Sequence, residues 1–107
     1  MSTLPGNVSV IRTDKETIIH VDGKFSFGLH RQFRDAYRHE ISDRKKQKRF
    51  VVDLSKTEFI DSSALGMLIV LREEAGTREQ QIELAHAHPQ IRKVLEEASF
   101  QRLFQIT

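Results

Sequence analysis

The sequence predicts an α/β fold in which helices cover a mostly parallel sheet of four to five strands, in the order β-β-α-β-α-β-α-β. Short runs of β-branched residues alternate with stretches whose apolar residues recur at helical spacing. A nearly continuous apolar run at 50–54 is typical of a strand in a parallel sheet. The chain has 107 residues and a mass of 12.4 kDa, enough for one core, so we expect a single domain spanning 1–107.

The first two strands are predicted to form a hairpin. Val8–Arg12 and Thr17–Val21 are rich in β-branched residues, and a short turn separates them. Gly23 then interrupts the second run, and Ser26 is placed to cap a helix. Because β-α-β units make the later strands parallel, we expect this hairpin to supply one antiparallel edge of the sheet.

The middle of the chain predicts a helix followed by a buried strand. The helix begins at about residue 29, and its apolar stripe consists of Leu29, Phe33, Ala36, Tyr37 and Ile41. Phe50–Leu54 is the strand that we expect to be covered on both sides. Ser55–Glu58 is predicted to be a short connection.

The second half of the chain predicts two further helices. One begins at residue 62 or 63 and is ended by Gly76, with residues at helical spacing at Leu65, Leu68, Ile69, Arg72 and Ala75. Gln81–Ala85 alternates as a strand, and Pro89 then begins a helix at a position where its missing N–H costs little. The buried stripe of that helix is predicted at Ile91, Val94, Leu95 and Ala98. Leu103–Ile106 closes the chain as a short strand or extended tail.

Composition excludes several classes of protein. The chain has no cysteine, which excludes a disulfide scaffold and thiolate chemistry. The longest apolar run, Ala64–Leu71, is too short to span a bilayer. The N-terminus has neither the basic start nor the apolar segment of a signal peptide. We therefore expect a cytoplasmic protein that does not associate with membranes.

The basic residues are concentrated at one place in the sequence. The formal net charge is +2, and five bases lie within residues 44–49, namely Arg44, Lys45, Lys46, Lys48 and Arg49. Nucleic-acid binding favours bases spread over one face with interleaved aromatic residues. We expect a solvated loop here and no nucleic-acid partner.

The segment Asp61–Gly66 is where the sequence places possible chemistry. It follows a strand and opens a helix, and functional positions in open α/β sheets concentrate beyond the carboxyl ends of strands. A hydroxyl in the first helical turn is exposed and lies near unpaired N–H groups, which favour an added negative charge. The same residue types also serve as ordinary N-caps, so Asp61 or Ser62 could simply be capping the helix.

Two more specific interpretations, a nucleophilic serine and a metal site, are less well supported by the residues. A nucleophilic Ser62 would need a Gly-x-Ser-x-Gly elbow, and no glycine precedes this serine. His86 and His88 would project from one side of a strand, but spacing places no further ligand to complete a metal site. We therefore expect no metal, no cofactor and no enzymatic activity.

Two segments resemble a known family. Phe50-Val-Val-Asp-Leu-Ser, followed by Phe59-Ile-Asp-Ser-Ser-Ala-Leu-Gly-Met-Leu, resembles the central motif of STAS domains and, among these, of bacterial anti-sigma factor antagonists. The stretch from Phe25 to Tyr37 is similar to stand-alone members of proteobacterial partner-switching systems. The resemblance extends over nearly the whole chain and implies the α/β fold already predicted.

The resemblance also implies a reversible switch. Family members bind an anti-sigma factor that is also a serine kinase, as long as the motif serine is unmodified. The kinase phosphorylates the serine directly after the aspartate, which is Ser62 here, with Ser63 as the second candidate. Phosphorylation ends the association, and a PP2C-type phosphatase restores it.

The residues expected to bind the partner surround that serine. They are Ser26, Asp61, Ser62, Ser63 and Leu65. The chain departs from the family at two positions, because Ala64 stands where glycine is frequent and Ser26 where many members carry aspartate. The alternative role within the same fold is that of an interaction module of an ABC-type lipid transporter, where this end of the domain docks an ATPase subunit.

Overall fold

A computed structural model describes residues 6–42, 49–75 and 82–107. In these ranges the strands are β1 (Asn7–Arg12), β2 (Glu16–Phe25), β3 (Arg49–Asp53), β4 (Thr57–Ile60), β5 (Glu83–Ala85) and β6 (Gln105–Ile106). The helices are α1 (His30–Ser42), α2 (Ser62–Ala75) and α3 (Pro89–Glu97), with 3-10 turns at Phe27–Leu29 and Phe100–Arg102. No helix in these ranges has the length and apolarity needed to cross a bilayer.

The strands form one mixed sheet in the order β1-β2-β3-β5-β6, and β4 pairs with the end of β2. β1 runs antiparallel to β2, whereas the other pairs are parallel. The predicted fold class, with its hairpin edge, is therefore confirmed. The described residues contain one strand more than predicted, because part of the predicted connection at 55–58 belongs to β4. This strand has four residues and is too short to show an alternating pattern in the sequence.

β2 continues through Gly23, where the sequence predicted an interruption. Gly23 has φ +76°, a conformation that costs glycine little, and the strand resumes with Lys24. Gly23 pairs with Thr57 and Lys24 with Phe59, so Glu58 is an extra residue on β4. This irregularity is a β-bulge, which lets β2 leave β3 and pair its last residues with β4.

The helices and the inward side chains of the sheet form one core. Thr17, Ile19 and Val21 of β2 are buried, whereas the alternate residues Ile18 and His20 are only half-buried. The core side chains of β3 are Phe50 and Val52, and neither Arg49 nor Asp53 on the other face is fully buried. The prediction that β3 is covered on both sides is wrong for the described residues. Val51 is buried on the open face mainly because it lies in a central strand, between β2 and β5.

The predicted stripe of α1 is confirmed, whereas that of α2 is shifted. Leu29, Phe33, Ala36 and Tyr37 are buried and Ile41 is half-buried. In α2 the buried residues are Ala64, Leu68 and Leu71, so the predicted stripe is confirmed at Leu68. The other predicted positions are half-buried, namely Leu65, Ile69, Arg72 and Ala75. The sequence of α2 is apolar on nearly all sides, so periodicity could not identify the core face.

The C-terminal elements follow the sequence prediction closely. α3 begins at Pro89, and Ile91 and Leu95 are buried with Val94 half-buried, but Ala98 is exposed because the helix has ended before it. β6 confirms the predicted terminal strand. Gly76 and Gln81 lie outside the described residues, as do the basic residues 44–48. Arg49, the last of the basic cluster, is the first residue of β3 and is bonded to Glu83.

Candidate functional site

The candidate site lies where β2 and β4 end side by side. The last pair of the two parallel strands is Phe25 with Ile60. Immediately beyond it, the amide of Asp61 donates a hydrogen bond to the carbonyl oxygen of Phe25 at 3.4 Å. Ser26 and Asp61 are therefore the first residues after two adjacent strand ends. This is the carboxyl edge of the sheet, as the sequence predicted.

Asp61 is the N-cap of α2. Its Oδ1 accepts a hydrogen bond from the amide of Ala64 at 3.0 Å, and its carbonyl oxygen accepts one from the amide of Leu65 at 3.1 Å. The first contact satisfies one of the four amides that a helix leaves unpaired at its start, and the second is the first regular hydrogen bond within the helix. Of the two capping residues that the sequence left open, the structure thus selects Asp61.

Ser62 is the first residue of α2, and its side chain is exposed. Ser63 follows it and is half-buried. Within the described residues, neither hydroxyl has a hydrogen-bond partner, and neither backbone amide donates a hydrogen bond. The capping role is filled by the neighbouring aspartate, so the Ser62 hydroxyl is free for chemistry. Two unpaired amides beside it also favour a negative group.

Ser26 opens the 3-10 turn that precedes α1. Its carbonyl oxygen accepts a hydrogen bond from the amide of Leu29 at 3.0 Å, but its side chain makes no capping bond. The predicted capping position is correct, whereas the predicted side-chain contribution is not seen. The β2–β4 pairing brings Ser26 close to Asp61 in the sheet. Within the described residues, no hydrogen bond joins its hydroxyl to the Asp61–Ser63 group.

Leu65 completes the predicted set from one turn into α2. It is half-buried and packs against the core. Its position leaves part of the side chain at the surface next to Ser62. The structure therefore brings all five predicted partner-binding residues, Ser26, Asp61, Ser62, Ser63 and Leu65, to one end of the molecule.

Two exposed aromatic residues at the same end escaped the sequence prediction. Phe27 is 65% exposed and Phe59 is 47% exposed. The Phe27 ring stacks on the ring of His30, with centroids 4.7 Å apart. The extra residue at Glu58 lets Ile60 point into the core while Phe59 faces outward. The two adjacent apolar residues Phe59 and Ile60 were a usable signal that one of them is exposed, because successive side chains of a strand point to opposite faces.

The two histidines that the sequence analysis weighed and rejected as part of a metal site lie just beyond β5. His86 and His88 are both exposed, and His86 adopts φ +63°. In the described part of the chain, no cluster of three or more His, Cys, Asp or Glu side chains could hold a metal ion. No histidine is hydrogen-bonded to Ser62 among these residues either. Among the described residues, Ser62 has no hydrogen-bonded base of the kind that activates a nucleophilic serine.

The chain matches a described family over most of its length. The family model for "Mlab, STAS domain" matches residues 8–105. A STAS-domain-containing protein of Pseudomonas aeruginosa (strain UCBPP-PA14) is 47% identical over 94 residues, which cover 87% of this chain and 89% of that protein. The chain belongs to the STAS domain family. The resemblance predicted from the central motif is confirmed.

Solved structures share the fold of this STAS domain at low sequence identity. An anti-sigma factor antagonist from Mycobacterium paratuberculosis has a TM-score of 0.80 at 20% identity, covering 95% of this chain and 85% of that chain. The phosphorylated form of SpoIIAA, a Bacillus cell fate determinant, has a TM-score of 0.71 at 17% identity, covering 94% of this chain and 91% of that chain. The likeness extends over the sheet and the helices that position Ser62.

Proposed function

We propose that this STAS domain is an anti-sigma factor antagonist controlled by phosphorylation at Ser62. The unphosphorylated form binds an anti-sigma factor that is also a serine kinase. Phosphorylation by that kinase ends the association, and a PP2C-type phosphatase restores it. The domain itself acts as a binding module in the cytoplasm and carries out no reaction. The exposed, uncommitted hydroxyl of Ser62 beside the capping Asp61 is the observation that carries this proposal.

The proposed switch needs no change of fold. A phosphoryl group adds about −1.5 to −2 charges next to Asp61. In the free domain, the partial positive charge at the start of α2 stabilises the phosphoryl group by roughly 0.3–1 kcal/mol. Against a partner surface that fits a neutral hydroxyl, an unpaired buried charge costs several kcal/mol. Since about 1.4 kcal/mol is a tenfold change in affinity, the cost at the interface dominates and the complex dissociates.

The known relatives support the proposal. The solved structures that share this fold include a protein described as an anti-sigma factor antagonist and a protein solved in its phosphorylated form. The central motif retains adjacent serines after the aspartate, which a phosphorylation switch requires. Ala64 in place of a family glycine favours the helix and leaves the acceptor hydroxyl unchanged.

The proposal is tested by phosphorylation and binding with matched serine variants. Ser62→Ala should bind the kinase as the wild type does and stay bound when ATP is added. Ser62→Asp should bind at least about tenfold more weakly, because it places a charge in the interface. Capture from native cytosol with and without ATP identifies the kinase, and mass spectrometry then locates the phosphate. Ser9→Ala, an exposed serine on β1, should behave like the wild type.

Several results would contradict this function. Phosphate found on Ser63 would move the switch by one residue, and phosphate on neither serine would remove its basis. Stable co-purification with a transporter ATPase, unaffected by ATP, would favour the transporter-module role instead. Covalent labelling of Ser62 by a fluorophosphonate would indicate a hydrolase, and we expect no labelling.

A further inference from the structure

β1 is an edge strand whose outer side has no partner among the described residues. It pairs with β2 along its whole length without a bulge, and no other described strand lies beside it. The amide of Thr13 donates to the carbonyl oxygen of Glu16 at 2.9 Å, which marks these two residues as a hydrogen-bonded pair. Because bonded pairs alternate along an antiparallel ladder, the amides and carbonyls of Val8, Val10 and Arg12 point away from β2.

This edge lacks the features by which proteins usually prevent strand pairing. Proline, lysine and bulges in an edge strand oppose its pairing with another chain, and β1 contains none of them. Arg12 is the only charged residue of β1, and its guanidinium donates a hydrogen bond to Glu40 of α1. Ile11 is 52% exposed, although it is a large apolar residue. The outer side of β1 is therefore open, regular and apolar.

The pattern of side chains along β1 is complementary to itself. Val8 and Val10 pack against the core, so the alternate residues Ser9 and Ile11 lie on the other face of the sheet. Two copies of β1 can pair antiparallel about a two-fold axis at Val10. In that register Val10 faces its own copy, Ser9 faces Ile11, and Val8 faces Arg12. The residues whose backbone groups point outward then face one another, and each such pair exchanges hydrogen bonds in both directions.

The same register covers Ile11 and brings no like charges together. The two copies of Ile11 lie diagonally across the axis, roughly 7–8 Å apart, which is within reach of long side chains. The two copies of Arg12 lie about 14 Å apart, farther than the Debye length of about 8 Å at physiological ionic strength. A second copy of this chain thus supplies both the apolar contact for Ile11 and the partners for the open backbone groups.

We infer that β1 pairs with β1 of a second copy of this chain, so that the two sheets join into one. The contact is isologous, because the same strand serves on both sides of a two-fold axis. The two copies of β2 then run antiparallel, and their carboxyl ends point to opposite ends of the dimer. Each Ser62 therefore stays at its own end, and pairing at β1 does not involve it. The inference does not rest on the proposed function.

Sedimentation equilibrium of the purified chain tests this pairing. The wild type should approach twice the monomer mass of 12.4 kDa as its concentration rises. Ile11→Lys should weaken dimerisation by at least about tenfold, because lysine on an edge strand opposes pairing and the two lysines lie close together at the axis. The side chain is exposed, so this variant should keep the fold. Leu103→Lys places the same charge at an exposed apolar residue outside β1 and should dimerise like the wild type.

A single cysteine tests the register independently, since the chain has no cysteine of its own. Val10→Cys places two thiols at a hydrogen-bonded pair, where the Cα atoms lie about 5.5 Å apart and a disulfide can form. Mild oxidation should convert this variant into a covalent dimer. Leu103→Cys, which is exposed but outside the contact, should remain largely monomeric under the same treatment.

The possible outcomes either support or overturn the inference. A wild type that is monomeric from micromolar to millimolar concentration would overturn it. A dimer that persists in Ile11→Lys, or a Val10→Cys variant that does not cross-link, would show that another surface makes the contact. Ser62→Asp should dimerise like the wild type, and loss of the dimer in this variant would place the contact at the wrong end of the domain. A dimer whose Ser62 receives no phosphate would contradict the proposed function alone.

Discussion

Two buried threonines differ in a way that only the structure reveals. Thr17 and Thr57 are both fully buried. The hydroxyl of Thr57 donates a hydrogen bond to the carbonyl oxygen of Val21 at 2.6 Å, whereas the hydroxyl of Thr17 has no partner among the residues that the structure describes. A buried hydroxyl without a partner retains the cost of losing water. The β-branched pattern predicted a strand at Thr17 but carries no information on whether its hydroxyl is bonded.

Thr17→Val should therefore stabilise the domain and Thr57→Val should destabilise it. Valine keeps the shape and branching of threonine. At 17 it removes an unpaired polar group, with an expected gain of about 1 kcal/mol in the free energy of unfolding. At 57 it removes the hydrogen bond to the Val21 carbonyl oxygen, with an expected loss of about 1–3 kcal/mol. Urea unfolding of both variants measures the difference, and equal effects at the two positions would contradict this explanation.

Much of the candidate site could be predicted at the level of residue types. Aspartate and serines after an apolar run are typical of a helix start, and Asp61 is indeed the cap with Ser62 the first helical residue. Which of Phe59 and Ile60 faces outward could not be predicted in the same way. It depends on an extra residue in β4, and that irregularity exists only once β4 pairs with β2.

At the scale of elements, the buried faces of the strongly amphipathic helices were predicted, whereas the buried face of the nearly uniformly apolar α2 was not. α1 and α3 each have a polar outer side, so their buried stripes were found to within one or two residues. α2 is apolar on almost every side, and the predicted stripe shares only Leu68 with the buried one.

The turn of β2 toward β4 depends on the backbone of Gly23. Its φ of +76° is unfavourable for residues with a Cβ atom. Its amide donates to the carbonyl oxygen of Lys56 at 2.8 Å, which fixes β4 beside β2. We expect Gly23→Ala to lower the free energy of unfolding by about 1–2 kcal/mol. Gly28→Ala is the matched control, because Gly28 has open space for a Cβ and an ordinary φ. Equal stability of the two variants in thermal unfolding would argue against strain at Gly23.

At the scale of the whole molecule, the described helices cover one face of the sheet and leave a charged network on the other. There Arg49 donates hydrogen bonds to Glu83 at 2.7 Å and to Gln105 at 2.5 Å. On the same face, His20 Nδ1 lies 3.8 Å from Asp53 Oδ2. The sequence predicted the strands but not this arrangement. Cross-strand partners depend on the register between β2, β3, β5 and β6, and local patterns do not contain it.

The open face should make stability depend on pH through Asp53. Burial raises the pKa of Asp53, but hydrogen bonds from the side chain and the amide of Ser55 lower it and outweigh burial. The charges of His20 and His86 also lower the pKa. The pKa therefore lies below its ordinary value of 3.8. Because the folded state binds this proton less readily, ionised Asp53 stabilises the fold above the unfolded pKa. That contribution disappears as the pH falls through the folded pKa.

Asp53→Asn should accordingly be less stable than the wild type at pH 7. The difference between their free energies of unfolding, called the gap below, should become smaller in acid. Asparagine still accepts from the Ser55 amide, but a charge-assisted bond becomes a neutral one, a loss of about 1 kcal/mol. Urea unfolding at pH 7 and at successive values below 3.8 measures the gap. In a Ser55→Ala background the gap should already be smaller at pH 7, because one of the donors is missing. A gap that stays constant with pH would show that Asp53 acts through its shape and not through its charge.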